Sequence, residues 1–397
     1  MARAAKASRK MIHMGRLGLA SCAVILGLIA GCASVPAPFV PPTAASSPPA
    51  VPPLAVPSPS PSSSTADLLR DRSRWVPASW VELPGWFEDR TQEVWPALLA
   101  GCEKPANTWA KLCAQAKQTS LSDDAQTREW LMARLQPYQV IALDGQETGL
   151  ATGYFEPAIE ASRVAKAGFK VPLYRLPGDI RAGQAYWTRQ QLDNDQRSVL
   201  RGREIAYIED PLDALVLQIQ GSGRLHILEP DGSTRWVRMA FAGHNEQPYK
   251  SVGRWLIDQG ELSASSASWP AIKDWARRNP KRLNEMLWSN PRVVFFREEP
   301  LNDLSLGPKG AQGVALSAGR SIAVDKASIP LGTLIFMVST EPLSDQALQR
   351  TVMAQDTGSA IVGAVRADFF WGTGPNAEQQ AGRMKQPLKL WALWPKE

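Results

Sequence analysis

The chain has 397 residues, 44% of them hydrophobic, which is enough for two ordinary domains. Its net charge is +6, but residues 1–31 hold five basic and no acidic residues, so residues 32–397 carry only 6 − 5 = +1. A nucleic-acid-binding domain needs a basic patch on its surface, and no part of this remainder concentrates lysine and arginine. The composition therefore excludes nucleic acid as an expected partner.

Residues 1–31 have the pattern of a secretory signal peptide. A basic start precedes the apolar run "LGLASCAVILGLIAG", which stops at "IAGC". Small residues before a cysteine are typical of a bacterial lipoprotein cleavage site, which predicts Cys32 as the lipidated first residue of the mature chain. A retained single-span anchor is the alternative, although the run is short for the roughly 20 apolar residues that a span needs. Ala33 stands where aspartate would favour the inner membrane, so we expect the periplasmic face of the outer membrane, with the lipid as the only membrane contact.

Residues 33–66 contain no charged residue and are rich in proline, serine and alanine. Such a segment cannot bury enough apolar surface to offset the entropy lost on ordering. We therefore predict a disordered tether over residues 32–66, and a proline-rich segment of this length reaches on the order of 100 Å from its anchor.

The predicted export also bears on the two remaining cysteines. Cys102 and Cys113 would lie in an oxidising compartment, where a disulfide persists. Two buried free thiols are equally compatible with the sequence, so both states stay open at this point.

Helical and strand patterns alternate twice in the globular part. The first third is helical, and "SDDAQTREWLMARL" has Asp123 and Asp124 in its first turn and Pro137 shortly after its end. Short apolar runs with period-two alternation and "DG" turns then indicate antiparallel strands. Helical spacing returns with Pro270 and Pro280 at first helical turns, and strands resume at "PRVVFFREE".

This alternation predicts a domain inserted into another. We assign residues 67–149 and 244–397 to one domain with a helical N-terminal part, and residues 150–243 to an inserted β-domain. A single large mixed α+β domain is the alternative.

Residue types that hold metals or cofactors are scarce. Of three histidines, His13 lies in the predicted signal peptide, and His226 and His244 stand eighteen residues apart without metal-ligand spacing. The sequence has no nucleophile elbow, phosphate-binding loop or dinucleotide-binding motif, and Gly221 and Gly223 of "QGSGR" fit a tight turn or bulge. We therefore expect no metal and no cofactor. Carboxylates, amides and fifteen tryptophans remain, and most of the tryptophans are expected in the core.

Three aspartates stand in segments that otherwise read as strand and turn, although Asp is depleted from strands. They are Asp325 in "SIAVDKASIPLG", and Asp356 and Asp368 in "AQDTGSAIVGAVRADFFWGTG". This pattern resembles the three-aspartate module of the membrane-bound lytic murein transglycosylase A family. The upstream motifs "ATGYFEP", "VLQIQGSGR" and "AGHNEQPYKSVGRWLI" match the same family in order and spacing, so the resemblance covers about residues 140–394.

The resemblance implies a mainly β fold with helices: a double-psi β-barrel, an inserted second β-domain and a groove between them for a glycan strand. It also implies an exo-acting peptidoglycan lyase that cleaves the β-1,4 bond between N-acetylmuramic acid and N-acetylglucosamine. The muramic acid C6 hydroxyl attacks its own anomeric carbon and forms a 1,6-anhydro end. One carboxyl group serves as acid and then as base. The expected partner is the peptidoglycan glycan strand, and the expected state is a monomer.

The environment of each aspartate favours Asp368 as this acid. Apolar residues surround it in sequence, so desolvation should raise the pKa of its carboxyl group; they are Val365, Phe369, Phe370 and Trp371. Asp356 precedes "TGSA", where backbone N–H groups should favour its ionised form. Asp in such turns more often organises the turn than catalyses, so Asp325 and Asp356 are expected to organise barrel turns and polarise the site. The family position of the acid is also that of Asp368.

Polar residues of the three upstream motifs are candidates for glycan binding. They are Thr152, Tyr154 and Glu156, then Gln218, Gln220, Ser222 and Arg224, and finally Asn245 and Tyr249. On a predicted strand, Gln218, Gln220 and Ser222 would share one face and contact successive sugars. A solvent-facing row of polar residues is the alternative.

Two other functions fit the same residues. A water-using glycoside hydrolase on the same barrel would need a positioned base, which Asp325 or Asp356 could supply. A non-catalytic cell-wall-binding lipoprotein would explain the anchor, the tether and the aromatic residues, and it would leave Asp368 dispensable.

Overall fold

The computed structural model describes residues 66–194 and 197–396. The predicted signal peptide, Cys32 and all of the predicted tether except Ala66 lie outside these residues. Within them the chain is mainly β with helices. The strands are β1 (Leu68–Leu69), β2 (Ser73–Pro77), β3 (Leu135–Ala142), β4 (Gly149–Glu156), β5 (Ala158–Ser162), β6 (Val171–Tyr174), β7 (Glu204–Ile208), β8 (Ser222–Leu228), β9 (Thr234–His244), β10 (Val294–Pro300), β11 (Ser321–Val324), β12 (Leu334–Thr340), β13 (Ala347–Asp356), β14 (Arg366–Thr373) and β15 (Lys385–Pro395).

Short helices connect these strands. They are α1 (Trp95–Gly101), α2 (Ala110–Ala116), α3 (Asp124–Arg134), α4 (Arg189–Asp193), α5 (Pro211–Gln220), α6 (Val252–Asp258), α7 (Trp269–Arg278), α8 (Leu283–Ser289) and α9 (Pro375–Ala381). Single 3-10 turns lie at Trp80–Glu82, Thr91–Val94, Asn107–Trp109, Arg197–Leu200 and Pro280–Arg282. Pro270 and Pro280 lie in first helical turns as predicted, where a missing N–H costs no hydrogen bond.

Six strands close into a barrel. The first sheet has the order β1-β2-β3-β15-β12-β13-β11-β14-β4, and β4 also pairs with β15, so β4 and β11 to β15 form a ring. The pairs β11–β13 and β14–β4 are parallel, and the other pairs of the ring are antiparallel. The predicted barrel is therefore confirmed.

Strand β12 shows why both faces of the barrel wall are apolar. Ile335 and Met337 point into the barrel core, whereas Leu334 and Phe336 pack against the N-terminal helical part. An outer layer that includes Trp86 covers this side of the sheet, so the strand reads as a continuous apolar run.

The N-terminal helical part is held to itself by a disulfide. Cys102, directly after α1, is bonded to Cys113 in α2, so of the two states left open by the sequence the bridged one is found. Asp123 caps α3 by accepting a hydrogen bond from the Gln126 N–H at 2.8 Å. Helix α3 passes directly into β3, which contains Pro137.

A second sheet has the order β10-β9-β8-β5-β7-β6 and runs from residue 158 to residue 300. The predicted bounds of 150 and 243 do not match this sheet. At the first bound, β4 pairs with β14 and β15 of the barrel. At the second, β10 pairs with β9, so helices α6 to α8 lie between two strands of one sheet. The helical pattern of this stretch resembles that of the first domain, which is why the bound was placed at 243. The pairing of β9 with β10 joins strands about 50 residues apart, and such a pairing leaves no local signal in the sequence.

The predicted strand through Gln218 and Gln220 is wrong, because these residues lie in α5. Asp210 caps this helix by accepting a hydrogen bond from the Leu212 N–H at 2.8 Å, and Pro211 occupies its first position. Gly221 ends it with φ of +77°, a left-handed conformation that glycine adopts without a Cβ clash. Residues two apart on a helix do not share a face, so the glutamines form no row with Ser222, which begins β8.

Candidate active site

A cleft of about 830 Å³ is lined by residues of both sheets. The barrel contributes Tyr154, Asp356 and Asp368. The other side consists of α5, β8, β9, β10 and the loops beside them. The cleft therefore brings together two of the three predicted aspartates.

Strand β4 connects the cleft to the rest of the fold through three alternate residues. Thr152, Tyr154 and Glu156 occupy positions two apart, so their side chains share one face of the strand. Thr152 contacts Asp368, Tyr154 contacts Asp356, and Glu156 contacts two arginines of the second sheet. The motif "ATGYFEP" thus contacts three separate polar groups.

Asp368 lies on β14 directly opposite Thr152 of β4 and Ala323 of β11. The Thr152 hydroxyl donates a hydrogen bond to Asp368 Oδ1. Burial, together with the charge of Asp356, raises the pKa of Asp368 to about 6, although the Thr152 hydrogen bond and the Arg366 charge act in the opposite direction. The raised pKa expected from the apolar sequence context is therefore found.

Arg366 fixes the direction of the Thr152 hydroxyl. Its Nη2 donates to Thr152 Oγ1 at 2.9 Å, and other donors of the same guanidinium reach the carbonyl oxygens of Leu150 and Ala367. A guanidinium has no acceptor, so the hydroxyl proton of Thr152 is left for Asp368. One carboxyl oxygen of Asp368 is thereby held by the protein.

Asp356 is the last residue of β13, and two hydrogen bonds hold its carboxyl group. Its Oδ1 accepts from the Ala311 N–H at 2.9 Å, and its Oδ2 accepts from the Tyr154 hydroxyl at 3.2 Å. Burial raises the pKa of Asp356 despite these hydrogen bonds, which is the opposite direction to the one expected from its turn context. Burial and the two nearby carboxylates raise the pKa of Tyr154 well above its usual value, which keeps the phenol a neutral donor.

Asp325 is in a turn beside β11 and does not line the cleft. Its carboxylate accepts from the N–H groups of Ala327 at 3.0 Å and Gly363 at 2.9 Å, and Arg72 Nε lies 3.4 Å away. The two backbone contacts join the turn after β11 to the loop before β14. This geometry fits turn organisation and not polarisation of the site.

Glu156 and Arg224 do not line the cleft either. Glu156 is fully buried, and its oxygens accept from Arg224 Nε at 2.7 Å and from Arg238 Nε at 2.6 Å. Both guanidiniums also donate to the Leu306 carbonyl oxygen. These three side chains form a buried ionic cluster that ties the end of β4 to β8 and β9.

Asn245 is likewise a structural residue here. It is fully buried, donates to the Trp187 and Pro291 carbonyl oxygens at 2.8 Å and accepts from the Val293 N–H at 2.9 Å. Asn245 thus bridges three backbone segments and has no free donor or acceptor directed toward a ligand.

The remaining predicted binding residues do line the cleft. They are Gln218, Gln220, Ser222 and Tyr249. Gln218 Oε1 accepts from Arg189 Nη2 at 2.7 Å, and Gln220 Oε1 accepts from the Phe155 N–H at 3.1 Å. Each amide oxygen is therefore occupied by the protein, which orients the NH₂ group of the same side chain as the free donor.

Sequence reasoning missed several residues of the cleft wall. They are Lys104, Phe241, His244, Arg292, Arg297 and Lys309. Phe241 is 45% exposed, which is unusual for so large an apolar side chain and suits stacking against a sugar face. Burial and the Arg292 charge lower the pKa of His244. The signal was present in "FAGHNEQPY", where an aromatic residue and a histidine precede the predicted Asn245.

Among residues 66–194 and 197–396, no three histidine, cysteine or acidic side chains are grouped as a metal site requires. The same residues contain no helix with the length and apolarity needed to cross a membrane.

Two family models match the chain. The "MltA specific insert domain" matches residues 150–297, and the "3D domain" matches residues 320–394. A membrane-bound lytic murein transglycosylase A of Vibrio cholerae is 32% identical over 265 residues, which are 65% of this chain and 69% of the relative. The protein of the same name from Escherichia coli is 30% identical over 290 residues, 70% of this chain and 74% of the relative.

Solved structures give the same picture. The lytic transglycosylase LtgG of Burkholderia pseudomallei is 43% identical with a TM-score of 0.59, and the match covers 81% of this chain and 96% of that one. MltA of Neisseria gonorrhoeae is 30% identical with a TM-score of 0.72, covering 84% and 96%. Escherichia coli MltA with bound chitohexaose is 25% identical with a TM-score of 0.61, covering 84% and 94%.

Proposed function

The chain belongs to the membrane-bound lytic murein transglycosylase A family and is a peptidoglycan lytic transglycosylase, and we propose that Asp368 alone performs both proton transfers of its reaction. The observation that carries this assignment is the position of Asp368 in the cleft, with a pKa raised to about 6 and only one oxygen held by Thr152. Its second oxygen is left for the substrate.

In the first step Asp368 acts as the acid. The protonated carboxyl group donates its proton to the glycosidic oxygen, O4 of N-acetylglucosamine, as the bond from that oxygen to the muramic acid C1 breaks. With a pKa of about 6, on the order of one molecule in ten carries this proton at neutral pH, and most do at pH 5.

In the second step the same carboxylate acts as the base. It takes the proton of the muramic acid C6 hydroxyl while that oxygen bonds to C1, which yields a 1,6-anhydro end and restores the acid. The nucleophile belongs to the substrate, so no protein nucleophile and no water is consumed. Asp356 acts through its negative charge at the wall of the cleft, and Tyr154 acts by donating a hydrogen bond to Asp356.

The glycan strand lies in the cleft in this proposal. The Escherichia coli relative binds chitohexaose, a chain of β-1,4-linked N-acetylglucosamine, which is one of the two sugars of the peptidoglycan strand. Gln218 and Gln220 offer amide donors, Ser222 and Tyr249 offer hydroxyls, and Phe241 offers an apolar face. Such a mixture of one aromatic surface and several polar groups is suited to sugars.

Product analysis tests the reaction. Residues 66–397 are incubated with purified peptidoglycan sacculi, and the released fragments are identified by mass spectrometry. We expect 1,6-anhydromuramic ends, which weigh one water less than reducing ends, and disaccharide units released from strand ends if the enzyme is exo-acting. Reducing ends as the main product would contradict the proposal and indicate a water-using hydrolase.

We further propose that Cys32 carries a lipid that anchors the enzyme at the periplasmic face of the outer membrane, with residues 33–66 as the tether. The relatives are named membrane-bound, which supports an attachment to the membrane. The lipid would be attached to the cysteine of "IAGC", so a single substitution removes the attachment site. Cys32→Ala should move the protein from the membrane fraction to the soluble fraction. Unchanged membrane retention would favour an uncleaved anchor.

A further inference from the structure

A second pocket lies beside the cleft and shares part of its lining. Its volume is about 440 Å³, and it is bounded by the end of α5, by α6 and α7 and by the segment after α9. Ile219, Gln220 and Tyr249 line both this pocket and the cleft. The two spaces therefore both border the C-terminal end of α5. We refer to the second space as the side pocket.

The side pocket has an apolar wall, and the polar side chains among its described lining residues can all donate hydrogen bonds, with no acidic residue among them. Lys385 and Arg254 contribute two positive charges, and Ser268 contributes a hydroxyl. Because Gln220 Oε1 is occupied by the Phe155 N–H, the Gln220 NH₂ group is left to donate. Such a lining fits a ligand that consists mainly of acceptors, such as a peptide with free carboxylates.

Neither cation is bound tightly elsewhere. Lys385 has no ion pair among the described residues. Arg254 Nε lies 2.8 Å from Asp258 Oδ1, but these side chains are 73% and 52% exposed and stand one helical turn apart. An exposed pair of this kind contributes little, so a ligand carboxylate can replace Asp258 at low cost.

One residue of the side pocket lies close to the proposed acid. Lys385 on β15 is the direct partner of Thr152 on β4, and Thr152 donates to Asp368. Adjacent strands lie about 5 Å apart, so the backbone of Lys385 is one strand from Thr152.

The substrate has a peptide close to the bond that is cleaved. The sugar that reacts is the muramic acid, whose lactyl group carries a peptide stem, and this peptide has free carboxylates. That stem must leave the glycan within about one sugar of Asp368. We propose that the side pocket binds the acidic peptide stem of the substrate, with Lys385 and Arg254 as partners of its carboxylates. The inference rests on the proposed function and adds a second recognition element to it.

A comparison of two substrates tests this proposal. One is a glycan strand with tetrapeptide stems, and the other is the same strand after an amidase has removed the stems and left the lactyl carboxylate. The test variant is Lys385→Gln/Arg254→Gln. The matched control is Lys389→Gln/Arg277→Gln, which removes one cation from the same strand and one from a neighbouring helix, both outside the side pocket.

We expect the test variant to lose about three- to tenfold in kcat/KM on the stem-bearing strand, the size of one or two exposed charge contacts. Its kcat/KM on the stripped strand should equal that of the wild type, and the control should be unchanged on both. An equal loss on both strands, or no loss on either, would overturn the proposal. If the wild type releases no anhydro ends from either strand, the proposed function fails instead, so the two failures are distinct.

Discussion

Strand β4 holds two carboxylates in opposite ways. In the middle of β4, Thr152 donates to Asp368, so this carboxylate has a hydroxyl as its direct partner and the guanidinium of Arg366 only behind that hydroxyl. At the last residue of β4, Glu156 is fully buried and is bonded directly to the guanidiniums of Arg224 and Arg238. The two positions are four residues apart in sequence, with three residues between them.

The difference shows that burial alone does not make a reactive acid. Glu156 is the more buried of the two, yet two cations compensate its charge and it ties two sheets together. Asp368 is only partly compensated, so its charge is costly and its pKa rises to about 6. Asp356 lies between these cases, with backbone and phenol donors but no cation in contact.

The largest effect should come from Asp368→Asn. The change keeps the shape of the side chain and removes the acid and the base together, so turnover should fall by at least about 10²–10⁴-fold. Glycan binding should persist, because the cleft wall is unchanged. Turnover is measured by release of soluble fragments and binding by cosedimentation with sacculi.

Asp356→Asn is the matched comparison for this variant. It should lose less activity and more stability, because Asp356 joins β13 to the loop at Ala311. The reverse result, with a folded but inactive Asp356→Asn and a nearly normal Asp368→Asn, would assign the acid to the other carboxyl group.

Glu156→Gln should give the largest loss of stability. The substitution leaves two buried guanidiniums without their anion, and breaking such a cluster costs about 3–5 kcal/mol in the free energy of unfolding. Urea denaturation measures this loss. Glu160→Gln, which changes a 71% exposed carboxylate on β5, serves as the control and should have almost no effect. Equal stability of the two variants would mean that the ionic cluster does not hold the sheets together.

Asp368→Asn should also change the stability of the fold, in the opposite direction to Glu156→Gln. The folded protein holds the Asp368 proton more tightly than the unfolded chain does, because the pKa rises from about 4 to about 6. Stability is therefore lost as the pH rises through this window. At about pH 7.5 the variant should be more stable than the wild type by about 3 kcal/mol, and below about pH 4 the gain should vanish. A variant that is less stable at both pH values would show that Asp368 is well compensated.

The smallest effect concerns Arg366. Arg366→Gln keeps a donor for Thr152 and removes the positive charge that lowers the pKa of Asp368. The alkaline limb of the kcat/KM profile should therefore move to higher pH, whereas Arg366→Lys, which keeps the charge, should retain the limb of the wild type. A lower rate with an unchanged limb in both variants would reduce Arg366 to a purely structural role.

The barrel could be predicted because the motifs that carry the family resemblance are local. The three aspartates stand in short motifs, and the apolar neighbours of Asp368 correctly indicated burial: Phe369 and Phe370 are both in the core. Helix α5 was mistaken for a strand, although Asp210, Pro211 and Gly221 mark its start and its end. The apolar and polar residues of "LQIQ" alternate as in a strand, and this alternation led to the wrong prediction.

Some of the residues that were predicted to bind the glycan do not line the cleft, and the reason is different. Glu156 and Arg224 are 68 residues apart in sequence, and Asn245 contacts the chain at Trp187 and Pro291. Nothing local distinguishes a polar side chain that binds sugar from one that is satisfied by a distant backbone group. The same holds for the bounds of the second sheet, which depend on the pairing of β9 with β10.

The closing strand of the barrel has a consequence for when the enzyme becomes active. Strand β15 completes the ring by pairing with β4 and β12. Thr152 and Asp368, which meet in the cleft, are 216 residues apart in sequence. A chain that is synthesised N-terminus first cannot assemble this pair until Asp368 has emerged, and cannot close the ring until β15 has followed. A peptide that stops before Asp368 therefore lacks the proposed acid, although it contains most of the cleft wall.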